Sequence, residues 1–482
     1  MKQFRNQFLI SNKELKINTK DFSCSSFHEL KIYHSNECDV TFHHDGDNGV
    51  ILIGYIIDPD SNVTTKEILK NISGRKENKN YIDYVNKLSG RFLLIIKDSS
   101  YTIAGDACGL KSLYYVNRKD VFLAGSSVSI LEEELQEKNK KRESFYLESE
   151  YVSKNIEHWI PSGISINEEI LHLTPNHLLE VKDLEQVRFW PSKKIKEMSY
   201  SSAKDRTKEI IKNSITIANI KYKLSLPITA GWDARLLLAL SKEIASGLFI
   251  YTLKYRDLSE SSSDIKIPNE ILKKLSLSHN IIDCKKDASE EFKSIYKSNT
   301  NPSHYNDWGV IAYGIYNSPL KEMTCLKGNC SEIARCFYFS DGKKRTIDNH
   351  KQIMALEKGW SSIDFIDVRI KEWFDKTKPV CDEYGYDILD IFYWEHRMGS
   401  WQSSSQLEWD ISQESFTPYN NRELMEVMLS IESKYRSEPG GYTLYKDIIK
   451  ESWPELLEYP INPKNLKQKT KSFIKKIISA VR

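Results

Sequence analysis

An apolar segment, a turn of small residues and an apolar helix pattern follow one another without a break over residues 224–240. Residues 224–227 are typical of a short buried strand, and the turn after them carries Thr229, Gly231 and Asp233. Backbone N–H groups converge where a helix begins, and their partial positive charge favours an anion. A carboxylate beside them can hold the Mg²⁺ that accompanies nucleotide phosphates. The segment therefore predicts a phosphate-binding turn, although an ordinary strand-to-helix turn with an aspartate near its start has the same composition.

Helix and strand patterns alternate on both sides of this turn. The alternation is that of βαβ units, which build a parallel sheet and bind ligands beyond the carboxyl ends of the strands. Asp233 follows such an end, and this position strengthens the prediction of a ligand site. Residues 340–460 are predicted to be mostly helical. The alternating patterns are a helix at 202–218, strands at 224–227 and 247–253, a helix at 265–277 and a strand at 280–283.

The first 190 residues are rich in short apolar runs that stop at turn residues. Such closely spaced strands predict sheets packed face to face. A run of charged residues at 132–143 has helical composition and predicts a solvated helix. The predicted strands are 49–59, 89–98, 101–106, 121–125, 178–181 and 187–190.

The chain of 482 residues is long enough for two or three domains, and its net charge is only +2. This balance gives no case for nucleic-acid or membrane binding by the whole protein. The amino terminus lacks the apolar run of a signal peptide, and no segment is apolar enough to span a bilayer. Eight scattered cysteines fit a reducing cytoplasm, and Cys325, Cys330 and Cys336 are predicted to be buried thiols rather than metal ligands.

The segment at 464–482 carries seven basic residues and no acidic residue. Apolar residues recur within it at helical spacing, which predicts an amphipathic helix. Two interpretations stay open. The helix packs on the body of the protein with its lysines in water, or it contacts a membrane surface or an acidic partner.

Several blocks of residues, in this order, resemble the asparagine synthase (glutamine-hydrolysing) superfamily. In that superfamily a class II glutamine amidotransferase domain precedes a PP-loop ATP-pyrophosphatase synthetase domain. The resemblance covers most of the chain, and its specificity comes from the order of the blocks. The matching blocks are 89–92, 105–115, 171–177, 229–234, 263–264, 328–332 and 414–419.

The resemblance implies a fold class that combines α/β and α+β parts. Residues 1–195 would form a degenerate amidotransferase-like domain with an Ntn-type αββα sandwich. Residues 200–482 would form the synthetase domain, with a parallel PP-loop sheet of the adenine nucleotide α-hydrolase type and a helical C-terminal part.

The amidotransferase-like part departs from the family at the residues that hydrolyse glutamine. The family's nucleophile is a cysteine directly after the initiator Met, whereas this chain has Lys2 there and its first cysteine is Cys24. The family's glutamine-holding Asn-Gly-Glu is replaced by residues 53–55, which read Ile-Gly-Tyr. Without a thiolate no acyl-enzyme forms, and a lysine does not substitute for it. We therefore predict that the protein does not hydrolyse glutamine.

The synthetase part keeps more of its pattern. Ala234 replaces a phosphate-binding serine, and Ser331 stands where a metal-binding aspartate is expected. The family's late lysine has several candidates within residues 464–471. By the resemblance, the catalytic residues are Asp233, Glu332, Lys467 and Lys469, and Mg²⁺ is held by Asp233, Asp264 and Glu332. By the same resemblance, ATP is bound by Leu226, Thr229, Ala230, Gly231, Trp232, Asp233, Ala234, Arg235, Leu253, Gly328 and Asn329.

The reaction that the resemblance implies is a two-step condensation in the cytoplasm. A small-molecule or peptide carboxylate attacks the α-phosphorus of ATP, which releases pyrophosphate and gives an acyl-adenylate. Ammonia or another amine then attacks the activated carbonyl and releases AMP. Positioning and cationic compensation of the oxyanions supply most of the catalysis. A different class stays open, in which both sites are eroded and the protein is a scaffold or binds nucleotide only. The balanced charge disfavours a tRNA-modifying enzyme, and a homodimer is compatible with the sequence.

Overall fold

A computed structural model of the protein describes residues 2–17, 21–75, 81–118, 121–136, 140–155, 157–300, 307–438 and 441–463. The strands are β1 Phe8–Ser11, β2 Phe22–Phe27, β3 Leu30–Ser35, β4 Val40–Asp45, β5 Asn48–Ile57, β6 Ser89–Lys97, β7 Tyr101–Gly105, β8 Tyr114–Val116, β9 Leu123–Gly125, β10 Ile170–His172, β11 His177–Glu180, β12 Glu185–Arg188, β13 Leu224–Pro227, β14 Phe249–Lys254, β15 Asn280–Asp283, β16 Thr324–Leu326 and β17 Ser415–Phe416.

The helices alternate with the strands in the second half of the chain and dominate its end. They are α1 Thr65–Ser73, α2 Tyr81–Val85, α3 Val128–Leu135, α4 Lys140–Leu147, α5 Glu150–Lys154, α6 Tyr200–Lys221, α7 Trp232–Leu240, α8 Ser263–Lys274, α9 Glu290–Asn299, α10 Asp307–Tyr316, α11 His350–Met354, α12 Asp364–Tyr384, α13 Ile388–Phe392, α14 Ser403–Trp409, α15 Arg422–Leu429, α16 Ser433–Arg436 and α17 Thr443–Ser452.

Two antiparallel six-stranded sheets pack face to face in the first half of the chain. Their strand orders are β10-β8-β9-β1-β3-β2 and β12-β11-β7-β6-β5-β4. Side chains alternate across a strand, so Ile51 and Ile53 of β5 face Phe8 and Ile10 of the other sheet. Leu52 on the same strand faces α1 and α2 instead. The layers confirm the predicted packing of sheet on sheet.

The second half contains a five-stranded parallel sheet of order β15-β14-β13-β16-β17. The chain enters at β13, adds β14 and β15 on one side, and then crosses to β16 and β17 on the other. The strand order therefore reverses between β13 and β16. At such a reversal, the loops after the two neighbouring strands run to opposite sides of the sheet. This leaves a crevice at the carboxyl edge, where ligands of α/β sheets bind.

Two buried ion pairs join the two halves. The Arg91 guanidinium of β6 donates to both carboxylate oxygens of Asp410, at 2.6 and 2.7 Å. Arg188 of β12 donates in the same bidentate manner to Glu395, at 2.5 and 2.8 Å. Charge-assisted forks of this kind fix orientation as well as distance. One continuous apolar core contains residues of both halves. The core therefore does not mark a boundary between two domains, and the boundary at residues 195–200 stays a prediction.

The prediction of one solvated helix over 132–143 is wrong. Helix α3 ends at Leu135 because Gln136 adopts a left-handed conformation with φ of 53°. Glu132 is buried and accepts a hydrogen bond from Asn167 Nδ2 at 3.0 Å. All eight cysteines are free thiols, and Cys325, Cys330 and Cys336 are buried as predicted. Within the described residues, no helix combines the length and the apolar character needed to cross a membrane.

Candidate functional site

The turn between β13 and α7 lies at the carboxyl edge of the parallel sheet, next to the reversal of strand order. The Ala230 N–H donates to Asp264 Oδ1 at 3.1 Å, and the Gly231 N–H donates to Thr229 Oγ1 at 3.2 Å. Gly231 is the cap residue before α7, and because it has no side chain it makes no hydrogen bond to the N–H groups of the first helical turn. The helix therefore begins without a side-chain acceptor from its cap, which is the condition for an anion to bind there.

A short 3₁₀ helix at Ser331–Arg335 brings the second side of the site to Asp233. It lies between two non-glycine residues in left-handed conformations, Cys330 with φ of 71° and Cys336 with φ of 50°. Such conformations cost of order 1–3 kcal/mol each and persist where the surrounding structure imposes them. Between them, the 3₁₀ turn directs the side chains of Ser331 and Arg335 towards α7.

Both carboxylate oxygens of Asp233 are hydrogen-bonded by this 3₁₀ helix. Ser331 Oγ donates to Asp233 Oδ1 at 2.5 Å, and Arg335 Nη2 donates to Asp233 Oδ2 at 2.9 Å. The same Arg335 nitrogen lies 3.7 Å from Glu332 Oε1. Gly328 permits the close approach, since a Cβ there would lie 2.8 Å from Asp233 Cβ. One guanidinium thus stands between two carboxylates.

Tyrosines surround this charged group. Tyr445 donates to the Ser331 carbonyl at 2.6 Å, and Tyr393 donates to Glu332 Oε2 at 3.0 Å. The rings of Tyr442 and Tyr445 lie 5.8 and 6.0 Å from the Arg335 guanidinium. Tyr419 is fully buried, interacts electrostatically with Asp233, and has no hydrogen-bond partner for its hydroxyl among the residues that the structure describes.

The electrostatics of the site follow from this enclosure. Burial raises the pKa of Asp233 to about 6, and Glu332 adds to the rise while Arg335 and Ser331 oppose it. Burial disfavours the charge of Arg335, but the carboxylates of Asp233 and Glu332 outweigh it and raise the pKa of the guanidinium. The arginine therefore stays charged, whereas the pKa of Asp233 lies above the usual range of an aspartate.

Arg235, which the resemblance assigns to ATP, is fully buried, and its Nη2 donates to the Ala230 carbonyl of the turn at 3.4 Å. Its guanidinium donates to the carbonyls of Leu456, Tyr459 and Pro460 at 3.0, 2.7 and 3.1 Å. Burial lowers its pKa to about 10. The side chain holds the segment after α17 against the turn, and Asn462 N–H donates to the Ala230 carbonyl at 3.0 Å.

The other residues of the predicted site are placed as follows. Leu226 is buried inside β13, and the partly exposed Trp232 packs edge-on against Tyr442 at 5.9 Å between ring centroids. Leu253 packs with a separate apolar cluster behind β14. Ala234 and Asn329 are half-buried near Asp233 and Gly328 in the chain. Lys467 and Lys469 lie outside the described residues, as does the predicted amphipathic helix at 464–482.

The three residues predicted to hold Mg²⁺ do not form one group of ligands. Asp264 is used by the Ala230 N–H, and Asp233 is used by Ser331 and Arg335. Across the described parts of the chain, no group of three or more His, Cys, Asp or Glu residues could hold a metal ion. Asp233 therefore binds Ser331 and Arg335 where the resemblance expects Mg²⁺, and the three predicted ligands do not meet at one point.

The amino-terminal segment, where the family has its nucleophile, is bound by the second half of the chain. Asn299 Oδ1 accepts the Phe4 N–H at 2.9 Å, and Glu414 Oε2 accepts from Asn6 Nδ2 at 2.6 Å. Lys111 Nζ donates to the Asn6 carbonyl and side chain at 3.0 and 2.8 Å. Side chains from both halves of the chain thus hold residues 4–6 in place.

Two buried or mostly buried cations, Arg335 of the site and Lys327 beside Asp410 and Arg91, carry no sequence motif that marks them. Arg335 has only its spacing of three residues from Glu332, which is also that of an ordinary helical ion pair. Lys327 directly follows β16, is 7% exposed, and has its Nζ 3.9 Å from the ring centroid of Trp409. Burial lowers the pKa of Lys327 to about 8.

No family model matches the chain, and no curated protein matches it. Among solved structures, one similar chain is glutamine phosphoribosylpyrophosphate amidotransferase from B. subtilis in complex with ADP and GMP, with 8% identity and a TM-score of 0.23. The match covers 60% of this chain and 64% of that one, which is less than two thirds of its length. Another is a structure of the allosteric regulatory enzyme of purine biosynthesis, with 8% identity, coverage of 62% and 74%, and a TM-score of 0.21. Likeness at this level carries no argument about family or activity.

Proposed function

We propose that the protein is an ATP-dependent, AMP-forming carbon–nitrogen ligase of the asparagine synthase type. It would adenylate a small-molecule or peptide carboxylate and transfer it to ammonia or another amine. The observation that carries the proposal is the position of the turn before α7 and of Asp233 at the reversal of strand order in the parallel sheet. Ligands of parallel sheets bind at this place, and the uncapped helix start suits an anion.

The residues around the crevice supply the requirements of such a reaction. The first turn of α7 offers N–H groups to phosphate oxygens, and Arg335 offers a permanent positive charge beside them. The buried tyrosines limit the access of water to Asp233 and Glu332, whose side chains are 27% and 25% exposed, and this strengthens each of these interactions. Asp233, with its pKa near 6, would hold Arg335 in place and orient it. Catalysis of this kind relies on positioning and charge compensation rather than on a protein nucleophile.

The same proposal excludes glutamine as the source of ammonia. Lys2 stands at the position of the family's nucleophilic cysteine, so this position carries no thiol. The lysine side chain is half-exposed and pairs with Glu37 at 2.5 Å. The following segment is bound by Asn299, Glu414 and Lys111. The amine would reach the activated carboxylate from solution or would belong to a substrate.

A scaffold or nucleotide-binding protein without catalysis is the second candidate. One observation favours it, because side chains of this chain already bind the N–H groups of Ala230 and Gly231 and both oxygens of Asp233. The two candidates differ in whether ATP is cleaved to AMP and pyrophosphate.

Pyrophosphate release from ATP, measured with a panel of carboxylates and amines, tests the proposal. We expect substrate-dependent release by the wild type and its loss in Asp233→Ala. Asp375→Ala is the matched control, because Asp375 of α12 is exposed and, in the described part of the chain, pairs with Lys371 on its own helix. Equal background from the wild type and Asp233→Ala, with ATP still bound, would favour the second candidate.

A further inference from the structure

Arg335 stands at the position of a shared cation. Its Nη2 atom lies 2.9 Å from Asp233 Oδ2 and 3.7 Å from Glu332 Oε1, so a single nitrogen faces the carboxylates of two different elements. The remaining oxygen of Asp233 accepts from Ser331 at 2.5 Å. A cation that used these two carboxylates would have to replace the guanidinium.

Replacement of Arg335 by a metal ion is unfavourable for a physical reason. The side chain is 17% exposed, and its Nε atom is buried without a hydrogen-bond partner among the described residues. Removing its carboxylate partners would leave a mostly buried positive charge uncompensated. The tyrosine rings on either side offer only weak compensation. The guanidinium is therefore a permanent part of this site.

We propose that Arg335 takes the place of a protein-bound divalent cation, so that the site binds a polyphosphate without any metal ion on Asp233 or Glu332. This inference rests on the proposed function for the identity of the ligand, ATP, but the phosphate chain alone suffices to test it. The bound phosphates lie between the start of α7 and the guanidinium. A planar fork of donors suits phosphate oxygens in the same way as it suits carboxylates.

The three groups have a net charge of −1 when Asp233 and Glu332 are ionised, so the arginine alone does not attract an anion. The start of α7, whose cap makes no side-chain hydrogen bond, adds about half a positive charge and leaves a total of about −0.5, so binding depends on directed donors rather than on net charge. Tyr419 is buried beside these groups with an unpartnered hydroxyl, which is a donor that a phosphate oxygen would satisfy. The combination is a phosphate site built from fixed donors rather than from a metal.

The test is calorimetric titration of the full chain with ATP and, separately, with inorganic tripolyphosphate, each in EDTA and in MgCl₂. We expect the wild-type dissociation constant for either ligand to change by less than about threefold between the two buffers. Arg335→Ala should weaken binding in EDTA on the order of tenfold to a hundredfold, the range of a charge-assisted hydrogen bond.

The sharpest readout is a gain of metal dependence. Arg335→Ala releases Asp233 and Glu332, which can then accept Mg²⁺, so MgCl₂ should restore much of the affinity that the variant lost. Arg335→Lys retains the charge without the fork and should show an intermediate loss without restoration. Arg345→Ala is the control, since Arg345 is 52% exposed and 3.9 Å from Asp341. Circular dichroism confirms that each variant is folded.

The outcomes separate this inference from the proposed function. Wild-type binding that requires Mg²⁺, with Arg335→Ala unchanged, overturns the role of Arg335 and leaves the ligase proposal standing. Metal-independent tripolyphosphate binding that needs Arg335, without AMP formation from any substrate pair, supports the role of Arg335 and overturns the ligase. Absence of binding of both ligands in both buffers overturns both.

Discussion

Glu395→Gln is expected to lower the free energy of unfolding by about 3–5 kcal/mol, because it breaks a buried ion pair and leaves Arg188 without a carboxylate. Glu395 is fully buried in a π-helix at Tyr393–Gln402 and accepts from four donors. Two come from Arg188, and the others are Trp373 Nε1 at 2.7 Å and Asn176 Nδ2 at 3.1 Å. A glutamine would present an NH₂ group to donors that need an acceptor.

The shifted pKa of Glu395 corresponds to a stabilisation of similar size. Burial by itself raises this pKa, but Arg188, with smaller contributions from His177 and Trp373, lowers it from 4.5 to about 2. A carboxyl whose folded pKa lies below its unfolded value adds stability above the unfolded pKa. That stability is lost as the pH falls from about 4.5 towards 2, and it amounts to about 3 kcal/mol at neutral pH.

Urea unfolding followed by tryptophan fluorescence and circular dichroism measures the effect. The Glu395→Gln midpoint should fall well below that of the wild type, and Glu395→Gln combined with Arg188→Met should recover part of the loss, because the double variant buries no unpaired charge. Asp375→Asn breaks an exposed pair with Lys371 and should change stability by less than about 1 kcal/mol. A Glu395→Gln protein as stable as the wild type would refute the reasoning, as would a double variant less stable than the single one.

Three further predictions concern the candidate site and the amino terminus. Gly328→Ala should weaken ATP binding by about tenfold, because the new Cβ would lie 2.8 Å from Asp233 Cβ and displace that side chain. Calorimetry measures the affinity and circular dichroism checks that the fold is retained. An unchanged affinity would contradict the prediction. The Lys2→Cys variant should release no glutamate from glutamine in an enzymatic assay. The new thiol would lack the amide and carboxylate side chains that hold glutamine in the family. Any glutamate release that depends on the thiol would refute this prediction. Tripolyphosphate should bind more tightly as the pH falls through about 6, because protonation of Asp233 removes a negative charge from the site, and this trend should vanish in Asp233→Asn.

Local patterns predicted much of the secondary structure. The apolar runs at 49–59 and 89–98 became β5 and β6, and the helix pattern at 202–218 became α6. These predictions succeed because burial selects residues at the period of the element. The prediction of a solvated helix over the charged run at 132–143 was wrong. The helix ends early because Gln136 adopts a left-handed conformation, and Glu132 is buried because it binds Asn167. Neither feature is visible in a count of charges.

The sequence by itself determined what chemistry is absent and where a turn could lie. Lys2 in place of a thiol and the strand, turn and helix around Asp233 are properties of residue types and their spacing. Only the tertiary structure decided that Arg335, 102 positions after Asp233, lies between Asp233 and Glu332. It also decided that Arg235 binds the carbonyls after α17. The physical reason is that a charged side chain takes its partner from whatever the folded chain brings within a few ångströms, and sequence spacing does not encode those long-range distances.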